Sequence, residues 1–421
     1  DQVVRAAIEE GDPMPLMSLA PEIEVDEAHE CWTFHLGGVT AHAKRFGEQG
    51  VAVVERPDEA PRFTPTAVPR TAAPGVHTPL DQPDVAPEPG ATGARPELLA
   101  EAEELLFARR EQMTNALIVL HRGELVVERY RDPFGPETRF ESWSMGKTIA
   151  STLFGVAEQQ GLVDLDEQGL FEEWTDDARR EIRPRNLLNM ASGLRFTGSY
   201  GTTEDHSRKT EGDLFLDHIY VYAGGADAHR FCLDKPAQDP PGTAGRYRNC
   251  DPLLTMGLLR ERACGGRVEE FLTWPHEQLL NRIGATGMIL ETDPFGQFLV
   301  SGHDYGRARD WARLGQLHLQ RGAWGGEQLF SEAYAEFVRT PARAAWGDRD
   351  AYGGFMYLNA DGVTPGLPDD AMIMSGGGRQ RTVVVPSLDL VIVRMGHMNG
   401  QVFGIVDTLD QVYRRICDAV S

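Results

Sequence analysis

The chain has 421 residues, which is too long for a single core at about 100–200 residues per domain. It carries 41 Lys+Arg against 64 Asp+Glu, a net charge of −23. This acidity argues against a nucleic-acid partner, which would need a basic face to neutralise phosphates. Hydrophobic residues at 41% and charged residues at 25% are typical of a globular chain and exclude fibrous and fully disordered classes.

The cysteines and the apolar runs bear on compartment and partners. Five widely spaced cysteines lack a CxxC pair, so they indicate neither a zinc site nor a disulfide framework, and we expect buried thiols. There is no run of 18 apolar residues and no charged-then-apolar leader, so we expect no membrane partner. The absent leader favours the cytoplasm over a periplasmic or secreted location, although a chain that begins at Asp1 leaves a removed leader open. The oligomeric state, a homodimer included, also stays open.

The first 96 residues differ in composition from the rest of the chain. A short aromatic and apolar patch covers 31–36, and 57–96 holds ten of the 26 prolines. Proline at this density favours an extended path over helix or sheet. We therefore predict an N-terminal extension, 1–96, whose Pro-rich arm either wraps along a surface as a linker or presents a PxxP ligand to a partner.

Regular patterning begins near residue 97. The segment 97–112 predicts a helix, and two apolar runs, 116–120 and 124–128, flank a His-Arg-Gly turn and predict a hairpin. After Ser144, apolar residues at helical spacing predict a helix that Gly161 ends.

The middle of the chain is rich in predicted helix, and strands return near the C-terminus. The runs 382–385 and 388–393 predict a second hairpin, and 406–420 predicts a closing helix. Strands at both ends with helices between them predict an α/β (α+β) fold with one antiparallel sheet flanked by helices. We assign 97–165 and 286–421 to this sheet part, and 166–285 to an inserted, mainly helical part.

Several familiar functional motifs do not occur in the sequence. We find no GxSxG, HExxH, P-loop or GxGxxG motif. The twelve histidines are scattered without the spacing of metal ligands. We therefore expect neither a metal site nor a cofactor.

One short motif can carry chemistry, Ser144-Met145-Gly146-Lys147. A serine needs an adjacent base to act as a nucleophile, and residues three apart share a helix face. Lys147 can serve as that base if burial favours its neutral form. The N–H groups at the start of the helix can stabilise an oxyanion. A serine and a lysine exposed on a helix surface, without chemistry, are the alternative.

The surroundings of this motif resemble the serine β-lactamase and penicillin-binding-protein superfamily, in which SxxK carries the nucleophile. The segment 185–194 is similar to the R-H-L-L-x-M-x-S-G-L segment of the class C and esterase branches, and 245–249 is similar to their Y-x-N motif. The segment 375–378 falls where their K-T-G motif belongs. Within the superfamily, 32–37 and 138–161 resemble the 6-aminohexanoate-dimer hydrolase (nylon-oligomer hydrolase) group and related carboxylesterases.

This resemblance implies a β-lactamase-like fold and a serine hydrolase that works through an acyl-enzyme without a cofactor. It makes Ser144 the nucleophile and Lys147 its base. Tyr247 would share the proton with the lysine and pass it to the leaving group. Asn249 would orient the lysine or the substrate carbonyl, or it is an ordinary turn asparagine.

The third motif departs from the family pattern, because Met374-Ser375-Gly376 stands where K-T-G is expected. By resemblance, Ser375 and Gly376 would contact the substrate, and the N–H groups of Gly377 and Ser144 would form the oxyanion hole. The lost lysine favours an uncharged or differently charged small-molecule ester or amide over a penicillin. A β-lactamase, a D-aminopeptidase or D,D-peptidase, and a non-catalytic binding or sensor protein of the same fold stay open as alternatives.

Overall fold

The computed structural model of the chain describes residues 22–36, 38–73, 78–81, 87–108, 112–198, 200–201, 216–347, 351–396 and 405–421. Its strands are β1 Glu22–Asp26, β2 Cys31–Leu36, β3 Val39–Arg45, β4 Val51–Val54, β5 Thr114–His121, β6 Glu124–Tyr130, β7 Arg139–Glu141, β8 Tyr200–Gly201, β9 Arg246–Tyr247, β10 Ile289–Leu290, β11 Asp304–Arg307, β12 Ala323–Trp324, β13 Glu327–Gln328, β14 Tyr352–Gly353, β15 Met356–Leu358, β16 Met372–Gly376, β17 Gln380–Val385 and β18 Leu390–Gly396. Its α-helices are α1 Pro96–Phe107, α2 Gly146–Gln159, α3 Pro184–Leu188, α4 Asp217–Ala223, α5 Ala228–Leu233, α6 Cys250–Cys264, α7 Val268–Pro275, α8 Ala308–Leu319, α9 Glu332–Arg339 and α10 Ile405–Val420.

The described residues form two compact units. The first unit takes its residues from Asp1–Val68, Glu167–Thr273 and Leu290–Leu299. The second unit takes its residues from Pro69–Asp166, Trp274–Ile289 and Val300–Ser421. The domain boundaries that we drew from the sequence stay a prediction.

The second unit is built on a seven-stranded sheet with the order β14-β15-β16-β17-β18-β5-β6. Every neighbouring pair of strands in it is antiparallel. Strand β18 pairs with β5 and so joins the two parts of the predicted sheet region, 97–165 and 286–421. Arg122 and Gly123 connect β5 to β6 with φ of 53° and 78°, as a two-residue hairpin turn of the right twist requires. This confirms the predicted antiparallel sheet and the first predicted hairpin.

One face of this sheet packs against helices α1 and α10. Side chains alternate across a strand, so every second residue of the central strands points to this face. The buried cluster joins residues of both helices to residues of the sheet; it includes Leu99, Leu106, Val412, Ile416, Leu117, Val119, Val383, Val385, Leu390 and Ile392. Burial of this apolar surface stabilises the unit.

Helix α8 packs on the opposite face, and a glycine sets the distance. A methyl group added to Gly315 would lie 2.7 Å from Val391 Cγ1 and 2.9 Å from Thr382 Cγ2. Helix α8 also contacts α2, where His318 Nε2 lies 2.8 Å from Thr152 Oγ1. The sheet and α8 therefore hold α2, the helix that begins two residues after Ser144.

The first unit contains the four-stranded antiparallel sheet β1-β2-β3-β4 and the helices α3 to α6. The aromatic patch at 31–36 forms β2. In the predicted Pro-rich arm, Pro79–Asp81 and Pro89–Thr92 form short 3-10 helices, which the proline content did not predict. The segment 57–68 is neither helix nor strand. Gln49 anchors it, since its Nε2 donates to Thr66 O at 2.7 Å and its Oε1 accepts from Thr66 N at 2.9 Å.

Some predicted element ends differ from the structure. The predicted helix 97–112 is found as α1, which ends at Phe107. The second hairpin turns through a short 3-10 segment, Pro386–Leu388, so its second strand begins at Leu390 rather than at Leu388. Within our predicted segments, residues 1–21, 37, 74–77, 82–86, 109–111, 199, 202–215, 348–350 and 397–404 lie outside the described residues.

The structure also bears on the cysteines and on membrane insertion. All five cysteines are buried free thiols, which confirms that expectation. Among the described residues, no helix combines the length and apolarity that crossing a bilayer requires. The same residues contain no cluster of three His, Cys, Asp or Glu side chains that could hold a metal ion.

We expect the substitution Gly315→Ala to lower the free energy of unfolding by about 1–3 kcal/mol, because the added methyl overpacks the contact between α8 and the sheet. This loss should appear although alanine has the better helix propensity by about 1 kcal/mol. Urea denaturation measures it. Gly135→Ala is the matched control, because nothing lies within 4 Å of a methyl there, and it should be neutral. Equal stability of both variants would contradict the close packing of α8.

Candidate active site

Ser144 lies where a strand of the second unit turns into a helix. Strand β7 pairs with β11, and the Ser142 N–H donates to Asp304 O at 2.9 Å. Trp143 then takes φ of 52°, a left-handed conformation that is rare for a bulky residue. This turn places the half-buried Ser144 at the start of α2.

The structure brings Ser144 and Lys147 together, as the SxxK spacing predicts. Lys147 Nζ donates to Ser144 Oγ at 2.9 Å and to Ser301 O at 2.8 Å. The hydroxyl of Ser144 donates to the same carbonyl at 3.4 Å. Lys147 is only 1% exposed, so its amine contacts the serine inside the protein and not on a helix surface.

The environment of Lys147 favours its neutral form. Burial lowers the pKa of Lys147 to about 7, and the negative charge of Asp304 acts in the opposite direction. An amine with this pKa is about half deprotonated near neutral pH and can accept a proton. The pair therefore has the chemistry of a nucleophile with an adjacent base.

The end of strand β16 lies beside the residues that precede Ser144. A methyl group on Gly376 would overlap the carbonyl oxygen of Ser142, and one on Gly377 would lie 3.3 Å from Trp143 Cγ. Only glycine at 376 lets the two backbones approach this closely. Ser375 is half-buried and Gly377 is exposed. The structure thus brings the third motif next to the turn that carries Ser144.

Met374 occupies the position of the missing motif lysine. Its side chain is fully buried, and Met372, two residues earlier on the same strand, is 1% exposed. Both methionines therefore belong to the core, and this strand contributes no cation at the motif position.

Arg394 holds the turn that follows Gly377, and motif reasoning missed it. Its guanidinium donates to the carbonyl oxygens of Gly378 and Arg379 at 2.9 Å each, and to Gly396 O at 3.1 Å. It is 1% exposed and lies in the apolar strand β18. The sequence could have indicated Arg394, because it is a charged residue within an apolar strand and a buried charge needs several hydrogen-bond partners.

The other predicted site residues belong to the first unit. Tyr247 lies in β9, opposite Tyr200 of β8, and is 4% exposed. The Asn249 side-chain amide donates to His218 O at 3.0 Å. Ser144, Lys147, Ser375, Gly376 and Gly377 all belong to the second unit.

The segments 185–194 and 245–251 of the first unit are joined by hydrogen bonds between buried groups. Arg248 donates to Arg246 O at 3.0 Å, to Met190 O at 3.4 Å and to the carbonyl of Leu194. Ser192 Oγ donates to Asp251 Oδ1 at 2.7 Å. The segment 185–194 therefore fixes the backbone on either side of Tyr247.

Comparisons with known proteins identify the family and the fold. A β-lactamase family model matches residues 104–408. The 6-aminohexanoate-dimer hydrolase of Paenarthrobacter ureafaciens is 23% identical over 269 residues, and the match spans 62% of this chain and 62% of that relative's length.

Solved structures show the same fold. A Bacillus anthracis protein provisionally named a 6-aminohexanoate-dimer hydrolase is 19% identical with a TM-score of 0.60, over 86% of this chain and 88% of that one. A family VIII carboxylesterase is 16% identical with a TM-score of 0.59, over 77% of this chain and 96% of that one. These likenesses confirm the predicted fold class. Because the family model spans most of its length, the chain belongs to the β-lactamase family.

Proposed function

We propose that this protein is a serine hydrolase that cleaves an ester or amide bond of a small molecule through an acyl-enzyme. The observation that carries the proposal is the 2.9 Å hydrogen bond between Ser144 Oγ and the buried amine of Lys147. Membership of the β-lactamase family supports it. So do the names of the relatives, which are a 6-aminohexanoate-dimer hydrolase and a carboxylesterase.

In the proposed acylation step, neutral Lys147 takes the proton of Ser144 while the serine oxygen bonds to the substrate carbonyl carbon. The carbonyl oxygen becomes an oxyanion and accepts hydrogen bonds from the N–H groups of Ser144 and Gly377. The position of Gly377 beside Trp143 supports its part in this step.

In the proposed second half, Tyr247 passes the proton from Lys147 to the leaving group, and the carbon–heteroatom bond breaks. Water then attacks the acyl-enzyme and gives its proton to the same pair, which releases the acid and restores Ser144. Asn249 would orient the substrate carbonyl. No step needs a metal or a cofactor.

The substrate class follows from the third motif. Lysine in that motif grips the carboxylate of a penicillin, and this chain has buried Met374 in its place. We therefore propose an ester or linear amide without a carboxylate at that position, and not a β-lactam.

We expect a fluorophosphonate probe to add one label to the wild-type protein, on Ser144, because an activated serine oxygen displaces fluoride from the probe and is phosphonylated. Intact mass and peptide mapping measure the label. Ser144→Ala should remain unlabelled, while Ser151→Ala, which removes a buried hydroxyl of the same helix, should be labelled. An unlabelled wild type that also turns over no p-nitrophenyl ester would favour a binding or sensor protein instead. Nitrocefin turnover well above that of Ser144→Ala would favour a β-lactamase.

The pKa of Lys147, about 7, predicts the pH dependence of acylation. The base is active when neutral, so kcat/KM for a p-nitrophenyl ester should reach a plateau above pH 7. Below that inflection it should fall about tenfold per pH unit as the lysine takes up a proton. Lys147→Ala should fold normally and lose about 10²–10⁴-fold in kcat/KM. Near-native activity of this variant, or a flat profile between pH 5 and 9, would contradict the role of the lysine.

The role proposed for Tyr247 predicts a dependence on the leaving group. An amide nitrogen must gain a proton to leave, whereas p-nitrophenolate leaves without one. Tyr247→Phe should therefore lower kcat/KM by about 10²-fold or more for a linear amide, and much less for a p-nitrophenyl ester. Tyr220→Phe, elsewhere in the first unit, is the control and should leave both rates unchanged. Equal losses for the two substrates in Tyr247→Phe would rule out proton delivery by this tyrosine.

A further inference from the structure

We propose that Asp304, which lies outside every motif of the sequence, sets the protonation of Lys147 and so the pH range in which Ser144 is acylated. This inference rests on the proposed function and adds a positioning residue to it.

Asp304 is fully buried at the first position of strand β11. Its carbonyl oxygen accepts from the N–H of Ser142 at 2.9 Å and from the Ser142 hydroxyl at 3.1 Å. The same hydroxyl donates to the Oδ2 atom of the Asp304 carboxylate. These bonds hold the Asp304 carboxylate against Ser142, which precedes Ser144 by two residues.

The carboxylate also lies against the first turn of helix α2. A methyl group on Gly146, the first residue of that helix and the neighbour of Lys147, would overlap Asp304 Oδ1. In the same short segment, the Ser301 carbonyl accepts the amine of Lys147 at 2.8 Å. The segment 300–304 thus binds the Lys147 amine through the Ser301 carbonyl. It also places the negative charge of Asp304 at the start of helix α2.

Two described histidines of the second unit, in the elements around Lys147, carry little charge at neutral pH. Burial lowers the pKa of His276, on the turn packed against α2, to about 3, and that of His303 to about 4. Strand β16, which runs past the turn that carries Ser144, has no ionisable side chain. Arg307, farther along β11, is paired with Asp310 at 2.9 Å. Among the described residues of this unit, Asp304 is the charged group that acts on the pKa of Lys147.

Burial and this charge act in opposite directions. Removing the amine from water favours its neutral form, and a nearby negative charge favours its protonated form. With the burial effect alone, the lysine would be a weaker base and would take the proton of Ser144 less readily. With Asp304 in place, the lysine can both take the proton from Ser144 and give it up near neutral pH.

The test is the pH profile of kcat/KM for a p-nitrophenyl ester in the full chain carrying Asp304→Asn. Neutralising the carboxylate should lower the acid-side inflection by about one pH unit, while fluorophosphonate still labels Ser144. One control keeps the wild-type inflection: Glu124→Gln, which makes the same charge change at an exposed residue at the start of β6.

A role in folding alone would give a different pattern, namely lost activity or stability with an unmoved inflection. If Asp304→Asn does not fold, the double variant Ser142→Ala/Asp304→Leu replaces both partners by apolar groups of similar shape, which is often nearly neutral for stability. It should show the same downward shift. An inflection that is unmoved or raised in a labelled, folded variant overturns this inference alone. An unlabelled wild type removes the proposed function and this inference with it.

Discussion

The burial of one amine, that of Lys147, is the constraint on which the rest of the site depends. An ammonium taken out of water costs several kcal/mol, and burial accordingly lowers the pKa of Lys147 to about 7. The amine donates hydrogen bonds to Ser144 Oγ and to the Ser301 carbonyl. Burial therefore favours the neutral form of this lysine, in which its amine can act as a base. Helix α8, seated on the sheet through Gly315, holds α2 and with it the lysine in that position.

Backbone shape completes the site. Trp143 is held in a left-handed conformation, which costs of order 1–3 kcal/mol and persists only where the surroundings enforce it. The enforcing contacts lie on both sides: Ser142 is bonded to Asp304, and Gly376 packs on the Ser142 carbonyl. Arg394 then ties the turn after Gly377 to the end of its own strand. Contacts of the second unit thus hold the backbone around Ser144 in a conformation that is unfavourable by itself.

The parts of the fold that depend on local pattern were predictable from the sequence. Both central hairpins, α2 and the contact of Ser144 with Lys147 follow from periodicity and spacing. Ser301 and Asp304 could not be found in this way, because they meet Lys147 and Ser142 across more than 150 residues of chain. Ser301 also acts through its carbonyl, which every residue has. Tyr247, Asn249 and the oxyanion role of Gly377 still rest on resemblance and position.

The central claim is that burial lowers the pKa of Lys147 to about 7, and the small number of lysines in the chain allows a direct measurement. The chain contains four lysines, Lys44, Lys147, Lys209 and Lys235, so selective ¹³C labelling of lysine gives four Cε resonances to follow by NMR. The account predicts that one of them titrates near pH 7 and disappears in Lys147→Arg. Titration of all four resonances near the ordinary lysine pKa, about 10.4, would contradict it.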